Sequence, residues 1–88
     1  MTPVEELVAE RGAVYGSPAE NFNNCAVLWS EWLRNVHNVT VPITGRDVAM
    51  MMVLFKVARL YAGTWHQDSV LDIAGYATCL NQMIEEGK

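Results

Sequence analysis

Two cations and two carboxylates stand at helical spacing in the C-terminal half of this chain. Lys56 and Arg59 lie three residues apart inside the apolar run MMMVLFKVARL (residues 50–60), and Asp68 and Asp72 lie four apart in HQDSVLDIAGYA (residues 66–77). On a helix those steps keep each pair on one side. The turn AGTWHQ between them is short, so the two helices should fold back antiparallel. Positions equidistant from the turn then face each other, Arg59 with Asp68 and Lys56 with Asp72. Such a four-charge cluster can be a pair of structural ion bridges. It can equally be a site, because desolvating four charges rarely improves stability over apolar residues, and a cationic pair suits phosphate oxygens.

A second candidate lies in ERGAVYGSPAENF (residues 10–22). Tyr15 and Gly16 directly precede a helix start, whose backbone N–H groups can receive phosphate or carboxylate. Tyr15 could stack on a base, and Asn21 falls on the first turn. The alternative is ordinary turn chemistry, with Gly16 at positive φ and Tyr15 packed on the bundle. On the last helix, Asp68, Asp72, Gly75, Tyr76 and Cys79 share a side where a solvated surface would carry Lys, Glu and Gln. That side is expected to meet a ligand or a neighbouring subunit.

Four helices must position these groups. Thr2, Pro3 and Glu5 form a start signal, and the first helix is expected to end at Gly12. SPAE (Ser17–Glu20) is a capping-box sequence with proline at the first helical position. Behind it, Phe22, Cys25, Ala26, Trp29, Trp32, Leu33 and Val36 form one apolar stripe, which should fray before Pro42. Thr44 and Asp47 open a third helix that runs to Gly63 and reads as the most buried of the four. The fourth spans about Asp68 to Glu86, with Val70, Ile73, Ala74, Ala77, Leu80 and Ile84 as its expected core stripe and Gly75 facing Met52 or Val53 on helix three. The expected fold over residues 1–88 is a single all-α domain. It is a small four-helix bundle with a short N-terminal helix, a longer second one, and an antiparallel hairpin of helices three and four.

Eighty-eight residues make one domain, and 51% of them are hydrophobic while 18% are charged. That is more apolar material than one small core readily hides, so a homo-oligomer is expected. With net charge −4 and no basic block, binding to a nucleic-acid polymer is not expected. The longest apolar run, Val48 to Phe55, is too short to span a membrane. The acidic amphipathic N-terminus is unlike a signal peptide, so a cytoplasmic protein is expected. Cys25 and Cys79 lack metal-type spacing and read as free core thiols. There is no glycine-rich phosphate loop, no HExxH and no paired CxxC.

With ERGAVYGSPAENF, DVAMMMVLFKVARL and HQDSVLDIAGYA located, the chain resembles a family of small phage and prophage proteins. These carry, in order, a YG-[DSH]-P-x-x-N-F loop, a K-x-x-R helix and a D-x-x-x-D-x-x-x-Y helix. The resemblance covers roughly residues 10–80. That family in turn looks distantly like nucleotide-modification-associated domains and MazG-like all-α nucleoside triphosphate pyrophosphohydrolases, which hold Mg²⁺ on two acidic pairs. Here Asp68 and Asp72 are spaced four rather than three apart, and Lys56 and Arg59 occupy the helix that should supply the other pair. The resemblance therefore implies nucleotide binding more than hydrolysis, and a phage protein would work in the host cytoplasm.

Three functions follow as expectations. The first is binding of a nucleotide or nucleotide-derived signal, for which sequestration would suffice. Lys56 and Arg59 would meet phosphate, Tyr15 and Tyr76 would frame the base or sugar, and Asn21 would hydrogen-bond. Asp68 and Asp72 would orient the cations or meet ribose hydroxyls. No cofactor is then needed. The second is a Mg²⁺-dependent pyrophosphohydrolase with Asp68 and Asp72 on the metal, assisted by Glu20. The third is a helical module that docks on a host or phage protein.

Overall fold

The computed structural model describes residues 2–15 and 17–88, with the backbone alone for residues 12–15. The described residues form four helices, α1 (Pro3–Tyr15), α2 (Pro18–His37), α3 (Gly45–Tyr61) and α4 (Gln67–Glu85), and no strand. This is the all-α four-helix architecture expected from the sequence. The α3–α4 hairpin packs most extensively, with α2 laid on α3 and α1 laid on α4.

The helix starts follow the capping residues. Thr2 Oγ1 accepts from Glu5 N at 3.1 Å, and Ser17 Oγ accepts from Glu20 N at 3.1 Å. At Thr44 the box is closed in both directions: Thr44 Oγ1 accepts from Asp47 N, and Asp47 Oδ2 accepts from Thr44 N at 2.8 Å. The end of α2 is capped rather than frayed. Asn38 adopts the left-handed conformation at φ 56°, and Val39 N donates to Leu33 O at 3.1 Å. The extended segment that follows is tied back to α2 where Ile43 N donates to Ser30 Oγ at 3.0 Å.

Helix α1 does not stop at Gly12 but continues to Tyr15. A mid-helix glycine costs only about 1 kcal/mol relative to alanine, and Ala13 and Val14 offer no further break. The loop expected before Gly16 is therefore largely helix, while Gly16 and the Tyr15 side chain lie outside the described residues.

The core is small and centres on Met83, Val48 and Ala49, with Phe22, Ala19, Ala26 and Cys79 around them. Gly45 makes this junction possible. A Cβ there would run into Asn23 Oδ1 and come within 2.9 Å of Met83 Cε.

The faces of α4 depart in part from expectation, although Leu80 of the expected stripe packs against the core. Ser69, Gly75, Cys79 and Met83 are buried, whereas Val70, Ala77 and Ile84 of the expected core stripe are exposed. The docking of α1 decides this, because α1 lies across the Gly75 side. A Cβ at Gly75 would meet Leu7 Cδ2 of α1 at 3.4 Å, so the glycine faces α1 and not Met52 or Val53 of α3. Nor is α3 the most buried helix. It is apolar all round, but its neighbours cover one side only, leaving Met50, Met51, Leu54, Phe55, Val57 and Tyr61 exposed. On α2 the stripe is covered in its first half, while Trp32 and Val36 are exposed.

Candidate functional site

Of the two charge pairs expected across the hairpin, one forms. Lys56 Nζ lies 2.9 Å from Asp72 Oδ2, with the side chains only 13% and 17% exposed. The pair confirms the antiparallel register that equidistance from the turn implies. Among the described residues no ion bridge joins Arg59 to Asp68; both are exposed. The Arg59 guanidinium instead lies over the Phe55 ring, 5.0 Å from its centroid. Close to the turn the hairpin opens to solvent, where an exposed ion pair is worth little and a cation on an aromatic face about 0.5–1 kcal/mol. The four-charge cluster is thus one half-buried pair and two separate surface charges.

Asp72 connects this pair to a cavity of about 320 Å³ between α1, α2 and α4. Leu7 and Val8 of α1 form one wall, Phe22 and Trp29 of α2 a second, and Gly75 and Tyr76 of α4 a third. Val48 and Met52 of α3 also line it. The Phe22 and Tyr76 rings meet at a centroid distance of 6.0 Å and a 47° tilt, within the range of favourable aromatic pairs. Cys25 and Cys79 line the same cavity as free thiols, as expected, and burial pushes the Cys79 thiol pKa up, which keeps it neutral.

The polar groups on this apolar lining come from three helices: Arg11 from α1, Asn21 from α2 and Asp72 from α4. Asn21 sits on the first turn of α2, beside Pro18, so the positive end of that helix dipole adjoins the cavity. The backbone amides there are largely used. Pro18 has none, Glu20 N donates to Ser17 Oγ, and Asn21 N donates to Ser17 O at 3.0 Å.

The structure thus gathers Asn21, Asp72 and Tyr76 of the expected site residues, and holds Lys56 behind Asp72. Arg59 and Asp68 are not among the residues that line the cavity, and Gly16 and the Tyr15 side chain lie outside the described residues. Arg11 was not anticipated. Its signal was present as a four- and three-residue step from Leu7 and Val8, which carries a cation along the side of α1 laid on α4.

A Mg²⁺ site of the MazG-like kind would need carboxylates that converge. Among the described residues no three His, Cys, Asp or Glu side chains are grouped as metal ligands would be. Asp72 is held by Lys56, Asp68 is outside the cavity lining, and Glu20 is exposed on α2. These residues do not fit the ion.

The fold is a small all-α bundle with an apolar cavity whose lining includes Arg11, Asn21 and Asp72. The sequence belongs to the family described as a domain of unknown function, DUF6378, whose family model matches residues 1–84. The chain is similar to the Gene 55 protein of Mycobacterium phage L5, 42% identical over 84 residues, which is 94% of this chain and 51% of that protein. It is likewise similar to the Gene 55 protein of Mycobacterium phage D29, 42% identical over 77 residues, 88% of this chain and 47% of that one. The chain spans about half the length of the curated relatives it matches. No solved structure matches it. Among the described residues no helix is long and apolar enough to cross a membrane.

Proposed function

We propose that this chain binds a nucleotide or nucleotide-derived signal molecule in the α1–α2–α4 cavity and acts by sequestering it. The observation that carries the reading is the lining itself, aromatic and aliphatic walls with Arg11, Asn21 and Asp72 among them. Its volume stands at the lower end of ligand pockets, roughly 300–1,000 Å³, which suits one base-and-sugar unit. A planar base packs between Phe22 and Tyr76 on one side and Leu7 and Val8 on the other. Asp72 accepts from ribose hydroxyls, and Asn21 offers both a donor and an acceptor.

Arg11 is exposed and lines the cavity, the placement of a rim residue, and its planar fork meets the phosphate. Lys56 acts as a positioning residue, fixing the Asp72 carboxylate from behind. Capture of a host signal is an activity that needs no catalytic group, and it suits a family with relatives encoded by phages.

The test incubates the chain with a pool of nucleoside mono-, di- and triphosphates and cyclic nucleotides, with and without Mg²⁺. The filtrate and the heat-denatured protein fraction are then chromatographed. Depletion of one component, recovered intact after denaturation, is the expected result. New products formed only with Mg²⁺ would establish the pyrophosphohydrolase instead, and an undepleted pool would contradict both readings.

A further inference from the structure

The α3–α4 hairpin has an outer face that the other two helices leave bare. On α3, Met50, Leu54, Val57 and Tyr61 stand at steps of four, three and four, and their exposures run from 45% to 91%. On α4, Val70, Ile73, Ala77, Leu80 and Ile84 run at three, four, three and four, with Val70, Ala77 and Ile84 exposed and the other two half-buried. The buried lines of both helices, Val48 and Ala49 on α3 and Gly75, Cys79 and Met83 on α4, turn the opposite way, towards α1 and α2. Alternating three- and four-residue steps are the seam spacing of helices that pack near 20° in coiled coils and four-helix bundles. The Lys56–Asp72 pair sets the register, so Leu54 lies level with Ala74 and Val57 with Leu71. The two seams therefore run side by side.

No charged residue occurs from Val48 to Phe55 or from Ile73 to Ile84. A solvated helix surface carries Lys and Glu, whereas interface centres lose charge and gain Met and aromatic residues. The area agrees. A monomeric protein of this mass exposes roughly 5,200 Å², and this chain exposes 6175 Å². The surplus, roughly 1,000 Å², matches the ~800 Å² that each partner contributes to a standard interface.

We propose that the outer face of the α3–α4 hairpin binds a second copy of this chain. The result is a two-fold dimer whose centre is a four-helix bundle built from two hairpins. The surface is self-complementary for a simple reason. Two antiparallel helices with matched seams, rotated onto themselves, place each seam in the groove of the other hairpin without opposing like charges. The cavity lies on the opposite side of the hairpin, so this proposal is independent of the ligand reading.

Sedimentation equilibrium of the full chain tests it. The expected mass is twice 9.8 kDa. Leu54→Glu and Val70→Glu, each at a position about half exposed in the single chain, should weaken the dimer roughly a hundredfold or more while the far-UV circular dichroism is unchanged. Val27→Glu, at an exposed apolar position on α2, should remain dimeric. A native chain that sediments as a monomer throughout the micromolar range would overturn the proposal. So would Glu variants that stay helical and fully dimeric.

Discussion

At the scale of single residues, the Lys56–Asp72 pair is the most consequential contact, because it is half-buried and borders the cavity. Lys56→Met strands the Asp72 carboxylate against a low-dielectric wall, and should cost about 1–3 kcal/mol of unfolding free energy in a urea melt. Exchanging the partners, Lys56→Asp with Asp72→Lys, should recover most of that loss while abolishing binding, since the cavity then presents a cation where a carboxylate stood. Arg59→Met removes only an exposed cation from the Phe55 ring and should shift stability by well under half as much. Asp47 gives the pH signature. Hydrogen bonds from the Thr44 backbone and side chain hold its carboxyl below the usual carboxylate range. Its stabilising contribution is therefore present in full above the ordinary carboxylate pKa and lost as pH falls through the lowered native value. Acid unfolding of Thr44→Ala should lack that component, so the native chain and the variant should differ more at neutral pH than at strongly acidic pH.

At the scale of helices, two glycines make opposite predictions. Gly45 is pressed between Asn23 and Met83, so Gly45→Ala overpacks the junction of α2, α3 and α4 and should destabilise by about 1–3 kcal/mol. Gly75 meets only Leu7 Cδ2 at ordinary contact distance, so Gly75→Ala should stabilise α4 by about 0.5–1 kcal/mol. Thermal melts of the two variants should move in opposite directions. The same contrast explains what the sequence could disclose. Helix starts were legible because a cap is local chemistry: Ser17, Thr44 and their partners three residues on carry it whole. The hairpin register was legible because one short turn fixes it. Which side of α3 and α4 would be buried was not, since both helices are apolar on nearly every side and periodicity then names no direction. The choice fell to where α1 docks, and the residue that covers Gly75 lies sixty-eight positions away at Leu7. Arg11 escaped notice for the same reason, since its role depends on where α1 docks.

At the scale of the molecule, the apolar surface divides between opposite sides of the hairpin. One side closes a small core and leaves the α1–α2–α4 cavity open, and the other presents the paired seams. A radius of gyration of 14.0 Å exceeds the ~12 Å of a compact chain of this length. In the proposed function the cavity captures an anionic nucleotide through Arg11. The most direct test equilibrates the same nucleotide pool against the native chain and against Arg11→Met, a change at an exposed position that leaves the core untouched. Native protein should deplete one component, and Arg11→Met should weaken that depletion roughly tenfold or more, the loss of one charge-assisted contact, with an unchanged melting temperature in the absence of ligand. Equal depletion by both proteins would contradict the account.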